Sequence, residues 1–146
     1  MKVLFVCRAN SGRSQIAMEL YNQLHPGEAE SAGTIVEEPG QELINRPTAR
    51  IGISIMKEVG IDMTHNKRRQ LTAEMLNEYD LIIVLAEPEV IPDYLYSANN
   101  VLLRPVEDIR YKNRVDGWKI CKDIWKIVLD VSERLHPAPV TPSVNL

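Results

Sequence analysis

Cysteine is scarce in this sequence: of 146 residues only Cys7 and Cys121 are thiols. That excludes a disulfide-stapled scaffold and points to a reducing, cytoplasmic setting. Charge of one sign is also lacking. Lys+Arg is 17 against Asp+Glu 20, a formal net charge of -3, which argues against a nucleic-acid coat or a basic membrane-surface protein. The N-terminal apolar run, Val3 to Cys7, is too short for a secretory core or a membrane span. No internal repeat or long low-complexity stretch is present. His25, His65 and His136 are scattered among turns and ends, without metal-ligand spacing.

What remains is an ordinary globular composition, 45% hydrophobic and 25% charged, of a length that suits one domain at about 100–200 residues each. Lys2–Val6 has no polar alternation and reads as a strand buried on both faces. Ser14 opens a helix over Gln15–Leu24, with Ile16, Ala17, Leu20, Tyr21 and Leu24 at helical spacing and Pro26-Gly27 beyond it. Glu28–Ala32 is a short strand. An irregular stretch from Thr34 to Arg46 leads to Pro47, which suits a first helical turn, and a helix to Val59 ends at Gly60. Thr72 caps a short helix through Met75 and Leu76. Asp80–Leu85 and Asn100–Leu103 are further strands, with Asp80 capping the start of its strand. A long helix from about Val115 to Leu135 places Trp118, Cys121, Trp125, Val128 and Leu135 on one stripe. Alternation of this kind predicts an α/β fold: one three-layer domain over residues 1–135, with a four-stranded parallel sheet, helices on both faces and right-handed crossovers. Residues 136–146 hold three of the nine prolines and read as a loosely attached tail.

In such sheets ligands bind at the carboxyl ends of strands. Cys7-Arg8-Ala9-Asn10-Ser11-Gly12-Arg13-Ser14 lies at such an end, between the first strand and the first helix. A strand-to-helix loop points several N–H groups into one concavity. Gly12 permits a backbone conformation that a side chain opposes. Arg13 can fork two oxygens of a tetrahedral oxyanion. The helix dipole and guanidinium favour the thiolate form of Cys7, and the Ser14 hydroxyl can donate to its sulfur. The arrangement is an activated nucleophile in an anion cradle, suited to attack on a phosphate or arsenate centre. The bland alternative is a core cysteine at a strand end with Arg13 solvated.

The stretch from Val6 to Ala17 resembles the phosphate loop of the low-molecular-weight protein tyrosine phosphatase family, which includes related arsenate reductases. Ser31-Ala32-Gly33-Thr34, Pro47-Thr48-Ala49, Gly60-Ile61-Asp62 and Asp80–Ile83 are similar to later segments of that family, in the same order. The resemblance implies catalysis by Cys7, Arg13 and Asp108, and oxyanion binding by Arg8, Ala9, Asn10, Ser11, Gly12, Arg13 and Ser14. Asn10 matches a residue that braces the loop. Asp108 matches the general acid, although Ile109 stands where proline is expected, and Glu107 is a neighbouring fallback. Tyr111 lies near the place of pocket-lining aromatics. The implied substrate is a phosphorylated protein or a small phosphomonoester, with inorganic phosphate or another oxyanion as ligand. No metal or organic cofactor, nucleic acid or membrane is called for.

Gln15 and Ser11 resemble the arsenate reductase branch. Its thioredoxin-coupled members use two further cysteines after the third strand, and this chain has none there. A reductase here would depend on an external thiol such as glutathione or mycothiol. A third possibility is a non-catalytic module that binds oxyanions or phosphopeptides. Gly12 occupies a place where many phosphatases carry a second cysteine. Lys67-Arg68-Arg69 reads as a solvated basic face, or as an attractor of phosphorylated substrates.

Overall fold

A computed structural model describes every residue except Pro139 and Ser143, which lie in the segment read as a tail. Strand β1 (Val3–Cys7) carries five apolar residues in a row, all buried, which requires cover on both sides. It takes a central place in a four-stranded parallel sheet of order β2-β1-β3-β4. The others are β2 (Ala29–Gly33), β3 (Leu81–Val84) and β4 (Val101–Leu103). The register aligns Val6 with Ala32 on one side and Val84 on the other, so β1 and its neighbours end together at one sheet edge.

The period of two along β1 divides the core. Val3 and Phe5, with Ile83 of β3, pack against α1 (Arg13–Leu24), α2 (Arg50–Glu58) and α4 (Arg114–Leu135). Leu4 and Val6, with Ile82 and Val84, face Leu71, Met75, Tyr79 and Leu95. That second layer is thinner, made by a 3-10 turn over Ala73–Glu78 and the short α3 (Asp93–Ser97). Helix α4 starts where Asn113 Oδ1 accepts the Asp116 N–H at 2.8 Å. Asp116 in its first turn and Arg134 in its last suit the helix dipole. Asp80 takes the predicted place at the strand start, where its Oδ2 accepts the Lys2 N–H at 2.7 Å.

Two expectations change. The C-terminal segment does not hang free, because Val144 is buried in the main core and Leu146 packs against it. Two of the three histidines meet, while His65 stays apart, exposed and paired with Glu42. The α1 and α4 helices both end at the edge opposite the Cys7 loop, and this stacks His25 on His136 with ring centres 3.9 Å apart. His136 Nε2 is 2.8 Å from Glu28 Oε1, and His25 Nε2 is 2.7 Å from Ser132 Oγ. The nitrogen ligand atoms of the two rings and a Glu28 oxygen lie within 4.8 Å of one another.

Burial first, and the neighbouring His136 second, hold His25 below the ordinary histidine value, with Glu28 acting the other way. A depressed folded-state value means that the unfolded chain takes up the proton first. The contribution of His25 is therefore fully present above the unfolded value of about 6.5 and is lost as pH falls through the lower folded value. Urea midpoints at pH 7.5 and 5.5 are expected to separate more in the wild type than in His25→Gln. An equal separation in both proteins would show that His25 plays no part.

Candidate active site

The loop between β1 and α1 is shaped by where its carbonyls go. Those of Cys7 and Arg8 accept the Thr34 and Ile35 N–H groups, each at 2.9 Å. The Ala9 carbonyl accepts Arg68 Nε at 3.0 Å, and the Asn10 carbonyl accepts Gln15 Nε2 at 3.2 Å. Gly12 O takes the Ile16 N–H at 2.9 Å. With the carbonyls turned outward, the N–H groups from Arg8 to Ser14 have no partner among the described residues. A run of backbone donors facing one concavity at a helix N-terminus is an anion cradle.

Asn10 fixes this turn. Its backbone is left-handed, with φ 54°, a conformation asparagine tolerates better than most residues. Its fully buried side chain donates to Ser14 Oγ at 2.8 Å and Ser31 Oγ at 3.0 Å, and accepts the Arg69 N–H at 2.8 Å. Gln15 Nε2 reaches Asn10 Oδ1 at 3.2 Å and the Lys67 carbonyl at 3.2 Å. Gln15, read from sequence only as a branch marker, is thus a brace of the loop.

Arg13 is not solvated. It is 3% exposed, and its Nη1 donates to the carbonyls of Val106 at 3.0 Å and Leu85 at 3.3 Å, and to Glu87 Oε2 at 2.9 Å. Its Nε and Nη2 make no hydrogen bond among the described residues. Nη2 lies 3.8 Å from Asp108 Oδ2. Burial opposes the Arg13 charge, but Cys7, Glu87 and Asp108 outweigh it and hold the group above its ordinary value. Burial likewise works against the Glu87 charge, yet the bond from Arg13 holds that carboxyl below the usual range.

Cys7 is buried at the floor, its Sγ 3.0 Å from Ser14 Oγ. When the sulfur is a thiolate, only the hydroxyl can donate in this pair. Asp108 is held by Arg110, which approaches its Oδ1 through the backbone N–H and its Oδ2 through Nε, both at 3.0 Å. Cys7, Arg8, Ala9, Ser11, Gly12, Arg13 and Asp108 line one pocket, together with Arg46, Thr48 and Arg110. Asn10 and Ser14 sit behind the wall. Glu107 points elsewhere, pairs with Lys112 and lines a different cavity along α4. Tyr111 is 84% exposed and does not line the pocket.

Two readings of the sequence change. Gly12 has φ −139°, so the left-handed region is not what requires glycine. Space is: a Cβ there would stand 2.7 Å from Ile109 Cγ2, and Ile109 is 1% exposed. The missing proline and the missing second cysteine are thus one packing contact. The Lys67–Arg69 run is solvated only in part, with Lys67 exposed and Arg68 buried. Arg68 is 2% exposed and, besides Ala9, bonds Glu37 O at 2.6 Å and Gln41 Oε1 at 2.8 Å. Arg69 is tied to Tyr79 and Glu30. Close approach also explains Gly33, where a Cβ would stand 2.6 Å from Arg8 O and 2.8 Å from Asn10 N. Sequence reasoning missed Arg68, Glu87, Arg46 and Arg110. Their only sequence signal is charge, which is commonest on surfaces.

Because Ile109 is branched at Cβ and fully packed, it has little room to yield to a Gly12 side chain. Gly12→Ala is expected to lower the unfolding free energy by about 1–3 kcal/mol. Ile109→Ala alone is expected to cost about 2–5 kcal/mol. In urea unfolding the double variant should lose less than the sum of the two. Strict additivity would show that the contact is not shared.

The family profile for low molecular weight phosphotyrosine protein phosphatase matches residues 2–92. A Klebsiella pneumoniae protein named as a low molecular weight protein-tyrosine-phosphatase is 29% identical over 89 residues, 60% of this chain and 58% of that protein. The chain spans a little over half the length of the curated relatives it matches. The crystal structure of the low molecular weight protein tyrosine phosphatase from T. tengcongensis superposes with TM-score 0.77 at 23% identity, covering 92% of this chain and 99% of that one. Vibrio vulnificus Wzb in complex with benzylphosphonate gives TM-score 0.74 at 21% identity, covering 91% and 97%. At these identities the solved structures establish the shared fold. With the profile covering most of the chain and its phosphate loop, this protein belongs to the low molecular weight phosphotyrosine protein phosphatase family.

Proposed function

We propose that the protein is a phosphomonoester hydrolase acting on phosphotyrosine through a phosphocysteine intermediate, in the cytoplasm. One observation carries this reading: Cys7 and the free donors of Arg13, from one loop, meet the Asp108 carboxyl, from a distant segment, in a single pocket ringed by unpaired N–H groups. The binding of benzylphosphonate by Wzb, a protein of the same fold, supports a tetrahedral oxyanion as the ligand of this loop.

The loop amides from Arg8 to Ser14 and the Nε and Nη2 of Arg13 hold the non-bridging phosphate oxygens. These donors are set before the substrate arrives, so they act on the charge that develops in the transition state. The Cys7 thiolate, steadied by the Ser14 hydroxyl, attacks phosphorus. The S–P bond forms as the ester P–O bond breaks, and Asp108 passes its proton to the leaving oxygen. In the second step the Asp108 carboxylate takes a proton from water. The water oxygen bonds to phosphorus, the S–P bond breaks, and phosphate leaves with the thiolate restored.

A three-cysteine reductase cycle finds no support. Cys121 is fully buried in α4, and burial pushes its thiol up to about 12. Oxidation of Cys7 therefore has no partner thiol within the chain that can reach it.

The test is hydrolysis of para-nitrophenyl phosphate under reducing conditions. Cys7→Ser and Arg13→Ala are expected to abolish turnover. Asp108→Asn is expected to lower it by about 10²–10⁴-fold, whereas Glu107→Gln stays close to wild type. A silent wild-type protein would defeat the reading, and arsenate-dependent oxidation of glutathione or mycothiol would replace it with a reductase. A Glu107→Gln loss beside an unaffected Asp108→Asn would reverse the acid assignment.

A further inference from the structure

In the contiguous Lys67–Arg69 run, Arg68 is buried behind the loop and Arg69 is paired with Glu30 and Tyr79, and none of the three lines the pocket. Three other arginines line the pocket mouth, and each comes from a different segment: Arg8 from the phosphate loop, Arg46 from the approach to α2, and Arg110 from the approach to α4. Arg8 makes no hydrogen bond or ion pair among the described residues. Arg46 spends only its Nε, on Thr48 Oγ1 at 3.1 Å. Arg110 shares its charge with Asp108, the single carboxylate lining the pocket.

The local balance departs from that of the chain. Four guanidiniums, including Arg13, line the pocket against two carboxylates, Asp108 in the lining and Glu87 on Arg13, in a protein whose formal net charge is -3. Arg13 and the loop amides already satisfy a tetrahedral dianion, so Arg8 and Arg46 keep donors beyond what one phosphate takes up. Among the described residues no aromatic or large aliphatic side chain lines the pocket, and Tyr111 stands outside it beside Arg110. A phosphorylated ring arriving here meets guanidinium forks where an aromatic slot would be, and forks of this kind pair with carboxylate and phosphate oxygens.

We propose that the preferred substrate carries a second anionic group close to the ester phosphate, received by Arg8 and Arg46. The inference rests on the phosphatase reading above and specifies its substrate class. The second anion is a carboxylate beside a phosphotyrosine in a peptide, or a second phosphate on a small molecule. The chemistry at the arginines is the same in both.

The experiment compares kcat/KM within two matched pairs at low and high ionic strength. One pair is a phosphotyrosine peptide with aspartate flanks against the same peptide with asparagine flanks. The other is ortho-phenylene bisphosphate against phenyl phosphate. We expect the more anionic member of at least one pair to be favoured about tenfold or more at low salt, with the advantage shrinking as salt screens it. The pair that shows the advantage names the source. Arg46→Gln should shrink that ratio, while Lys67→Gln, outside the mouth, should leave it unchanged. Ratios near one in both pairs, with para-nitrophenyl phosphate still hydrolysed, overturn this inference and leave the phosphatase reading standing. No turnover of any probe overturns both.

Discussion

A guanidinium buried at the end of a parallel sheet must find its partners there, and the rest of this site is arranged around that demand. Arg13 is 3% exposed, and one of its nitrogens draws together the end of β3 through Leu85, the following segment through Glu87, and the loop after β4 through Val106. Leaving such a charge without partners would cost several kcal/mol. The same contacts bring Asp108 to the pocket, since it lies two residues beyond Val106. Anchoring one nitrogen also leaves the other two free and aimed at the cradle.

The phosphate loop solves a second problem, the outward disposal of its own carbonyls. Each partner it uses comes from a different place in the chain: Thr34 and Ile35 after β2, Arg68 from the 64–72 stretch, and Gln15 from the first turn of α1. Asn10 adds side-chain bonds to Ser14, Ser31 and the Arg69 backbone. The Asn10 side chain has its donors and acceptor engaged, which holds the turn rigid, while Arg68 behind it keeps Nη2 buried without a partner among the described residues. Rigidity matters for the proposed reaction because donors that must reorganise stabilise developing charge less well.

Departures from the family pattern make sense as packing. Ile109 where proline is expected, and Gly12 where a second cysteine is common, meet at one contact, and the side chain of one takes the space the other lacks. The loop that carries Asp108 is therefore held over the Cys7–Ser14 loop by an apolar contact. Arginines from three separate segments line the same pocket around Arg13.

Local pattern was enough for the architecture. The unalternating run Val3–Cys7 required a strand covered on both faces, the spacing in α1 and α4 required helices packed on one side, and the strand–loop–helix order placed Cys7 and Arg13 at the sheet's carboxyl edge. These signals are legible because periodicity and local turn geometry are properties of neighbouring residues. Who pairs with whom across long separations was not. Arg68 behind Ala9, Glu87 on Arg13, Arg46 and Arg110 at the mouth, and the stack of His25 on His136 bring together residues as many as 111 positions apart. A charged residue in a sequence carries no mark of burial, and an isoleucine carries no mark of the glycine it will cover. The sequence by itself determined the sheet, the loop and the place of Cys7. Only the tertiary structure decided which charges are buried, which carboxylate lines the pocket and what charge surrounds its mouth, because those depend on which loops the closed sheet brings to one edge.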